Sequence, residues 1–114
     1  MKTTKSQFNE FKQEFLRYVE LLGLKDWKIY FRHEDIDGFA QIIRNANESI
    51  ATVSFCSELN REDMQDLDIK MNAKHEAIHL LLSRYNFIAS CRFVNDGEVS
   101  AEEERIVRIL EKVL

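Results

Sequence analysis

The sequence predicts an α+β domain with an N-terminal helix, a three-stranded antiparallel sheet, a central helix and a C-terminal helix. Two periodicities indicate this order. Apolar residues recur every three or four positions near the start of the chain and again after residue 66, and every second position in between. Because 114 residues suffice for one domain with one modest core, we expect residues 1–114 to fold as a single unit.

The first helix is predicted over residues 5–22. Thr4 and Gln7 have the spacing of a capping box, in which side chains and backbone N–H groups pair reciprocally at a helix start. Gly23 suits the left-handed position that closes a helix. One stripe of apolar side chains runs along the helix, and we interpret it as a core-facing surface: Phe8, Phe11, Phe15, Tyr18, Val19 and Leu22.

Three strands are predicted, over residues 27–33, 39–44 and 49–55, from alternating apolar and polar side chains. Asp37-Gly38 between the first two strands is a strong hairpin signal. A second polar turn precedes the third strand. These short connections predict a meander in which each strand pairs antiparallel with the next.

The central helix is predicted over residues 66–85, and it carries His75-Glu76-Ala77-Ile78-His79. Histidines four residues apart lie on the same helical face, so both imidazoles can reach one metal ion. Glu76 lies about 100° around the helix from His75, beside the metal position. The rest of this segment is apolar except for one narrow polar strip, which predicts a helix buried in the domain.

This pattern of residues indicates a zinc hydrolase site. Two neutral imidazoles are typical Zn²⁺ ligands, and the metal lowers the pKa of a bound water. A neighbouring carboxylate, here Glu76, then accepts the proton of that water. The expected roles are therefore metal ligand for His75 and His79, and general base for Glu76.

Catalytic zinc usually has three protein ligands, so a third is needed. A third histidine six residues after His79 would be a metzincin feature, but that position is Tyr85. The remaining histidine, His33, ends the first predicted strand, where we expect it to face solvent or to be partly buried. A carboxylate on the last helix is the better candidate.

The last helix is predicted to begin at Ser100 and to run to Leu114, after a connection over residues 86–99. Its first turn offers three carboxylates, Glu102, Glu103 and Glu104. Glu104 has the spacing of a solvated ion pair with Arg108, and Glu102 lies at the edge of the apolar stripe.

Glu103 is the preferred third ligand because it lies in line with Val107 and Leu110 on the apolar face of that helix. The alternative role for Glu103 is structural. Ser100 and Glu103 have capping-box spacing, which would use the carboxylate on a backbone N–H group.

Composition excludes other classes of function. The net charge is −4 and no basic cluster stands out, so we expect no nucleic-acid partner. No apolar run approaches the ~20 residues of a membrane span, and the N-terminus lacks the apolar segment of a signal peptide. Cys56 and Cys91 form no CxxC pair and no disulfide framework, so a reducing cytoplasm is the expected compartment.

With His75-Glu76-x-x-His79, a preceding sheet and a downstream helix bearing Glu103, the chain resembles the gluzincin metallopeptidases. It is most similar to their minimal form, the small phage- and bacteria-type proteins that consist of one zincin-like catalytic core. The resemblance implies Zn²⁺ bound by His75, His79 and Glu103, with Glu76 as general base. It also implies a peptide or protein substrate that pairs as an added strand along an edge strand, here residues 49–55.

The chain departs from larger gluzincins in two respects. Four residues after Glu103, where an acid is common, stands Val107. We also expect no additional subdomain of the kind that supplies a transition-state donor, and neither Tyr85 nor Tyr30 is singled out as a replacement. A weakly active core, a regulated core and one that depends on self-association are therefore all compatible with the sequence.

Two other interpretations stay open beside the peptidase. The first is a catalytically silent zinc-binding or interaction domain of the same fold. The second is a structural domain without metal, in which His75 and His79 satisfy each other and Glu76.

Overall fold

The computed structural model describes residues 1–91 and 93–114, and over these residues it is an α+β fold with five helices and one three-stranded sheet. In chain order the elements are α1 (Lys5–Leu21), β1 (Lys28–Glu34), β2 (Ala40–Asn45), β3 (Ile50–Cys56), α2 (Arg61–Asp66), α3 (Ile69–Leu81), α4 (Ser83–Ser90) and α5 (Asp96–Val113). No helix in the described ranges combines the length and apolar character needed to cross a bilayer.

Helix α1 begins and ends as the sequence predicts. Gln7 N donates to Thr4 Oγ1 at 3.1 Å and Thr4 N donates to Gln7 Oε1 at 2.8 Å, which completes the capping box. Gly23, with φ of 68°, follows the last turn, and the next residue, Leu24, returns its N–H to Val19 O at 2.8 Å. This pairing satisfies a carbonyl that the helix end would otherwise leave free.

The sheet is mixed, so the prediction of an antiparallel meander is wrong. Its strand order is β1-β3-β2: β3 pairs in parallel with β1 and antiparallel with β2. Asp37-Gly38 therefore lies in a wider connection and not in a tight hairpin between β1 and β2. Gly38 does adopt the left-handed conformation that the turn signal implied, with φ of 83°.

Because β3 lies in the centre of the sheet, the expected edge for an added peptide strand, residues 49–55, is also wrong. The two edges are β1 and β2. Both long sides of β3 are occupied by backbone hydrogen bonds to its neighbours, which leaves none for a further strand. Of the two edges, β2 packs more extensively against α3.

The core lies between one face of the sheet and the helices α1 and α3. The inward side chains of β3, Ala51, Val53 and Phe55, are fully buried, as their alternation in the sequence predicts. Phe11 and Phe15 of α1 pack in the same core, and the Phe11 and Phe55 ring centroids are 5.0 Å apart. The aromatic stripe of α1 is thus a packing surface.

The predicted central helix is divided in two. Helix α3 begins after Asp68, whose side chain accepts from Met71 N at 3.0 Å, and it ends at Leu81. Leu82 then interrupts the helix before α4. Helix α3 packs on α1 and on β2, but its outer face, with Ile78 42% exposed, is open to solvent. The prediction that this helix is buried nearly all round is therefore wrong.

The C-terminal helix begins four residues before the predicted start. Its N-cap is Asn95, whose side chain accepts from Glu98 N at 2.9 Å. Ser100 lies within α5 and not at its start, so the alternative capping role for Glu103 is wrong. The connection predicted over residues 86–99 includes the end of α4 and the first turn of α5, and its Arg92 lies outside the described residues.

Candidate functional site

The two motif histidines face each other on α3. Their Nε2 atoms are 3.2 Å apart, with ring centroids separated by 4.8 Å and planes at 77°. Two nitrogens bound at about 2.0–2.1 Å by a tetrahedral zinc ion lie about 3.3 Å apart. The pair therefore fits one metal ion between His75 and His79. The same separation also fits a hydrogen bond from a protonated to an unprotonated nitrogen.

Glu76 is buried although both of its histidine neighbours are exposed. Its residue exposure is 6%, and it lies on the side of α3 that faces β2. Burial raises the pKa of the Glu76 carboxyl above its ordinary value, while the nearby charges of His79, His75 and Arg44 act in the opposite direction. A carboxyl group with a raised pKa is a better proton acceptor near neutral pH than an exposed glutamate.

A cleft of about 320 Å³ lies between α3 and the edge strand β2. Glu76 and His79 line it from the helix. The strand contributes the rest of the lining: Ala40, Gln41, Ile42 and Arg44. The cleft therefore joins the motif residues to the edge strand β2.

Arg44 is a site residue that the sequence reasoning missed. Its Nη1 donates to the carbonyl oxygen of His79 at 2.7 Å, and Ser83 Oγ donates to the same oxygen at 3.0 Å. This carbonyl belongs to the last turn of α3, where backbone acceptors lack helical partners. One signal was available in the sequence: Arg44 follows Ala40 and Ile42 in the inward phase of a strand, where a charged residue is out of pattern.

The structure does not bring the predicted third ligand to the histidine pair. Glu103 is exposed and lines a separate groove with Leu82, Tyr85, Ile106 and Val107. Within residues 1–91 and 93–114, no three His, Cys, Asp or Glu side chains are grouped closely enough to hold a metal ion. Of the three predicted zinc ligands, the structure therefore brings together the imidazoles of His75 and His79.

Glu102 is the buried acid of α5. Its Oε1 accepts from Arg105 Nε at 2.7 Å, and the same guanidinium donates from Nη2 to Leu81 O at 3.4 Å. This ion pair docks α5 against the C-terminal end of α3. Glu104 pairs with Arg108 at 3.5 Å on the surface, as predicted.

The other residues considered from the sequence lie away from the cleft. His33 is partly buried, as predicted, with Nε2 2.6 Å from Thr3 Oγ1 and its ring stacked 4.8 Å from that of Phe8. Tyr30 is on β1, the opposite edge of the sheet from β2. Tyr85 shares the groove of Glu103. Among the described residues, the cleft lining includes neither tyrosine.

Comparison of this chain with models of known protein families, with curated proteins and with solved structures finds no match in any of the three.

Proposed function

We propose that this chain is a zinc-dependent peptidase of the gluzincin type, built on a minimal zincin-like core. One observation carries the proposal: the Nε2 atoms of His75 and His79 are 3.2 Å apart, next to the buried carboxyl group of Glu76. Two convergent imidazoles beside a carboxyl of raised pKa supply two of the three usual zinc ligands and the base for metal-assisted hydrolysis.

Each residue then has a defined role. His75 and His79 hold Zn²⁺, which when bound supplies the Lewis acid for attack on a peptide carbonyl. Glu76 accepts the proton of the attacking water and transfers it to the nitrogen of the departing amine. Its burial keeps bulk solvent from competing for that proton, and its raised pKa suits both transfers.

The third ligand is proposed to come from α5. Glu103 is the residue that the sequence favours, and Glu102 is its competitor because it is buried near the end of α3. Among the described residues, neither carboxylate is grouped with the two histidines closely enough to hold a metal ion. Binding of zinc by either one therefore requires a movement of α5 or of its side chains. For Glu102 that movement includes release of the Arg105 guanidinium.

The substrate is proposed to be an extended peptide or protein segment that adds to β2. This strand replaces β3 as the candidate edge because it is unpaired on one side and borders the cleft. Main-chain hydrogen bonds to an edge strand bind a peptide largely independently of its sequence, and they would align it beside Glu76 and His79.

The first experiment is metal analysis of the purified chain after incubation with zinc and removal of excess metal. We expect about one zinc per chain, lost in His75→Ala and in His79→Ala. His33→Ala is the matched control, since that histidine bonds to Thr3 and should leave the zinc content unchanged. Absence of zinc from the wild-type chain would refute the proposal and favour the metal-free domain.

A catalytically silent zinc-binding domain is the second candidate, and the lack of an assembled third ligand favours it. Glu76→Gln separates the two candidates. In a peptidase it should retain zinc and abolish cleavage of a mixed peptide library. If the zinc-loaded wild-type chain leaves the library as intact as the variant does, the silent domain is the better description.

A further inference from the structure

The outer edge of β2 presents a defined set of backbone groups. Cys56 N donates to Phe39 O at 2.9 Å, in register with the antiparallel pairing of β2 and β3. Hydrogen-bonded pairs alternate along such a ladder, so the backbone groups of every second residue point away from the partner strand. Counted from Phe39, the residues whose N–H and C=O groups point outward are Ala40, Ile42 and Arg44.

The side chains of these three residues lie on the face of the sheet that the helices cover. Their register partners on β3 are Phe55, Val53 and Ala51, all fully buried. Ala40, Ile42 and Arg44 also line the cleft beside α3. A peptide strand hydrogen-bonded to this edge therefore places every second side chain in the cleft, next to one of these three residues.

Arg44 is the charged side chain that β2 contributes to the cleft. Its guanidinium has five N–H donors in a fixed fork, and one nitrogen, Nη1, is directed to the His79 carbonyl. That bond orients the group in the cleft without neutralising it, since a backbone carbonyl carries no net charge. A carboxylate is the side chain that a guanidinium binds best, and opposite charges on neighbouring strands attract.

We propose that the cleft selects an extended peptide with an acidic side chain beside Arg44 and an apolar side chain two residues away, beside Ile42. As a cleavage preference this inference rests on the proposed peptidase function, whereas as a binding preference it does not. The two positions are separated by one residue whose side chain faces away from the cleft, so the recognised pattern is apolar-x-acidic or its reverse. Strand direction decides which of the two is bound.

The simpler interpretation is that Arg44 has only a structural role, in which its hydrogen bond to the His79 carbonyl holds β2 against the end of α3. That role predicts the same loss of stability on substitution but no preference among peptides. A binding measurement on the unmodified chain therefore distinguishes the two interpretations without any substitution.

The experiment uses the full zinc-free chain, kept in a chelator so that no cleavage occurs. Six octapeptides with blocked ends carry Val-Thr-Glu, Val-Thr-Gln or Val-Thr-Lys, or one of these triplets reversed, at their centres. Dissociation constants come from backbone amide shifts in heteronuclear NMR titrations. In one of the two directions, we expect the glutamate peptide to bind about three- to fivefold more tightly than the glutamine peptide, and the lysine peptide to bind least. The largest shifts should be at Ala40, Ile42 and Arg44.

Charge reversal provides the second arm. In that direction, Arg44→Glu should invert the order, so that the lysine peptide binds more tightly than the glutamate peptide. Arg32→Glu on β1 is the matched control, because Arg32 is an exposed arginine on the other edge strand, and it should leave the order unchanged.

The inference would be overturned if the wild-type chain bound the glutamate, glutamine and lysine peptides equally well. It would also be overturned if the chain bound none of these peptides at millimolar concentration. An order that is the same in Arg44→Glu as in the wild-type chain would overturn it as well. Because no zinc and no turnover are involved, these outcomes are independent of the metal analysis and of the Glu76→Gln comparison. Either proposal can therefore fail while the other stands.

Discussion

Burial divides the residues of the motif into two kinds. The exposed imidazoles of His75 and His79 are accessible to a metal ion, whereas the carboxyl of Glu76 is enclosed between α3 and β2. Helical spacing alone predicts the first property, because residues at i and i+4 share a face. The burial of Glu76 depends on which element packs against the helix, and the spacing of residues along the helix does not determine that packing.

The pH dependence of stability should report the burial of Glu76. Because its pKa in the folded chain is raised above 4.5, the folded state gains stability at low pH and loses it as the pH rises through the folded pKa. In zinc-free protein, the wild-type free energy of unfolding minus that of Glu76→Gln should therefore fall as the pH rises above 4.5, the ordinary pKa of the carboxyl. Urea titrations at each pH measure this difference, and a constant difference would contradict the burial effect.

Zinc affinity of three single variants should identify the ligand on α5. If Glu103 is the third ligand, Glu103→Ala weakens zinc binding at least about tenfold, whereas Glu102→Ala changes mainly stability because it unpairs Arg105. If Glu102 is the ligand, the order of the two affinities is reversed. Glu104→Ala is the matched control, since its carboxylate pairs with Arg108 on the surface. Competition with a zinc-sensitive dye gives the affinities, and three equal values would exclude both α5 ligands.

Among the structural elements, the three strands and the helices α1, α3 and α5 were predictable, with their ends only partly so, whereas α2 and the break between α3 and α4 were not predicted. The start of α1 was predicted correctly because Thr4 and Gln7 encode it locally. The start of α5 was not, because both Asn95-Asp96-Gly97-Glu98 and Ser100-Ala101-Glu102-Glu103 have capping-box spacing. The prediction places the polar Asn95-Asp96-Gly97 segment in the connection over residues 86–99, although Asn at an N-cap followed by acids in the first turn is equally typical of a helix start.

Substitution of the observed N-cap should show where α5 begins. Asn95→Ala removes the acceptor for Glu98 N and should lower the free energy of unfolding by about 1 kcal/mol. The control is Ser100→Ala within the helix, which should change stability by no more than about 0.5 kcal/mol. Chemical denaturation of both variants measures the effect. A larger loss of unfolding free energy in Ser100→Ala than in Asn95→Ala would instead support the predicted helix start at Ser100.

For the whole molecule, the order of elements was predictable from the sequence but the strand pairing was not. An apolar repeat of two or of 3.6 residues depends on only a few neighbouring positions, so it can be recognised without knowledge of the fold. The parallel pairing of Lys28–Glu34 with Ile50–Cys56 is non-local, and the sequence marks it with no turn of its own. The same limit explains why β3 was mistaken for an edge and why Arg44 was not connected with His79.

Zinc binding should stabilise the entire fold if His75 and His79 lie close enough to hold a metal only in the native chain. At a free zinc concentration about 100 times the dissociation constant, the gain is about 2.7 kcal/mol, or roughly 10 °C in the melting temperature of a domain this size. His79→Ala should abolish the shift, whereas His33→Ala should keep it. A shift of equal size in His79→Ala would place the metal elsewhere.

The central position of β3 also determines when the sheet can form. The strand lies between two strands that precede it in the chain, and these two are not paired with each other. Until residues 50–56 are available, β1 and β2 both have unpaired backbone edges, a condition that promotes aggregation. A chain truncated before residue 50 is therefore expected to aggregate and not to form a stable hairpin, and refolding of the full chain should be limited by the insertion of its third strand.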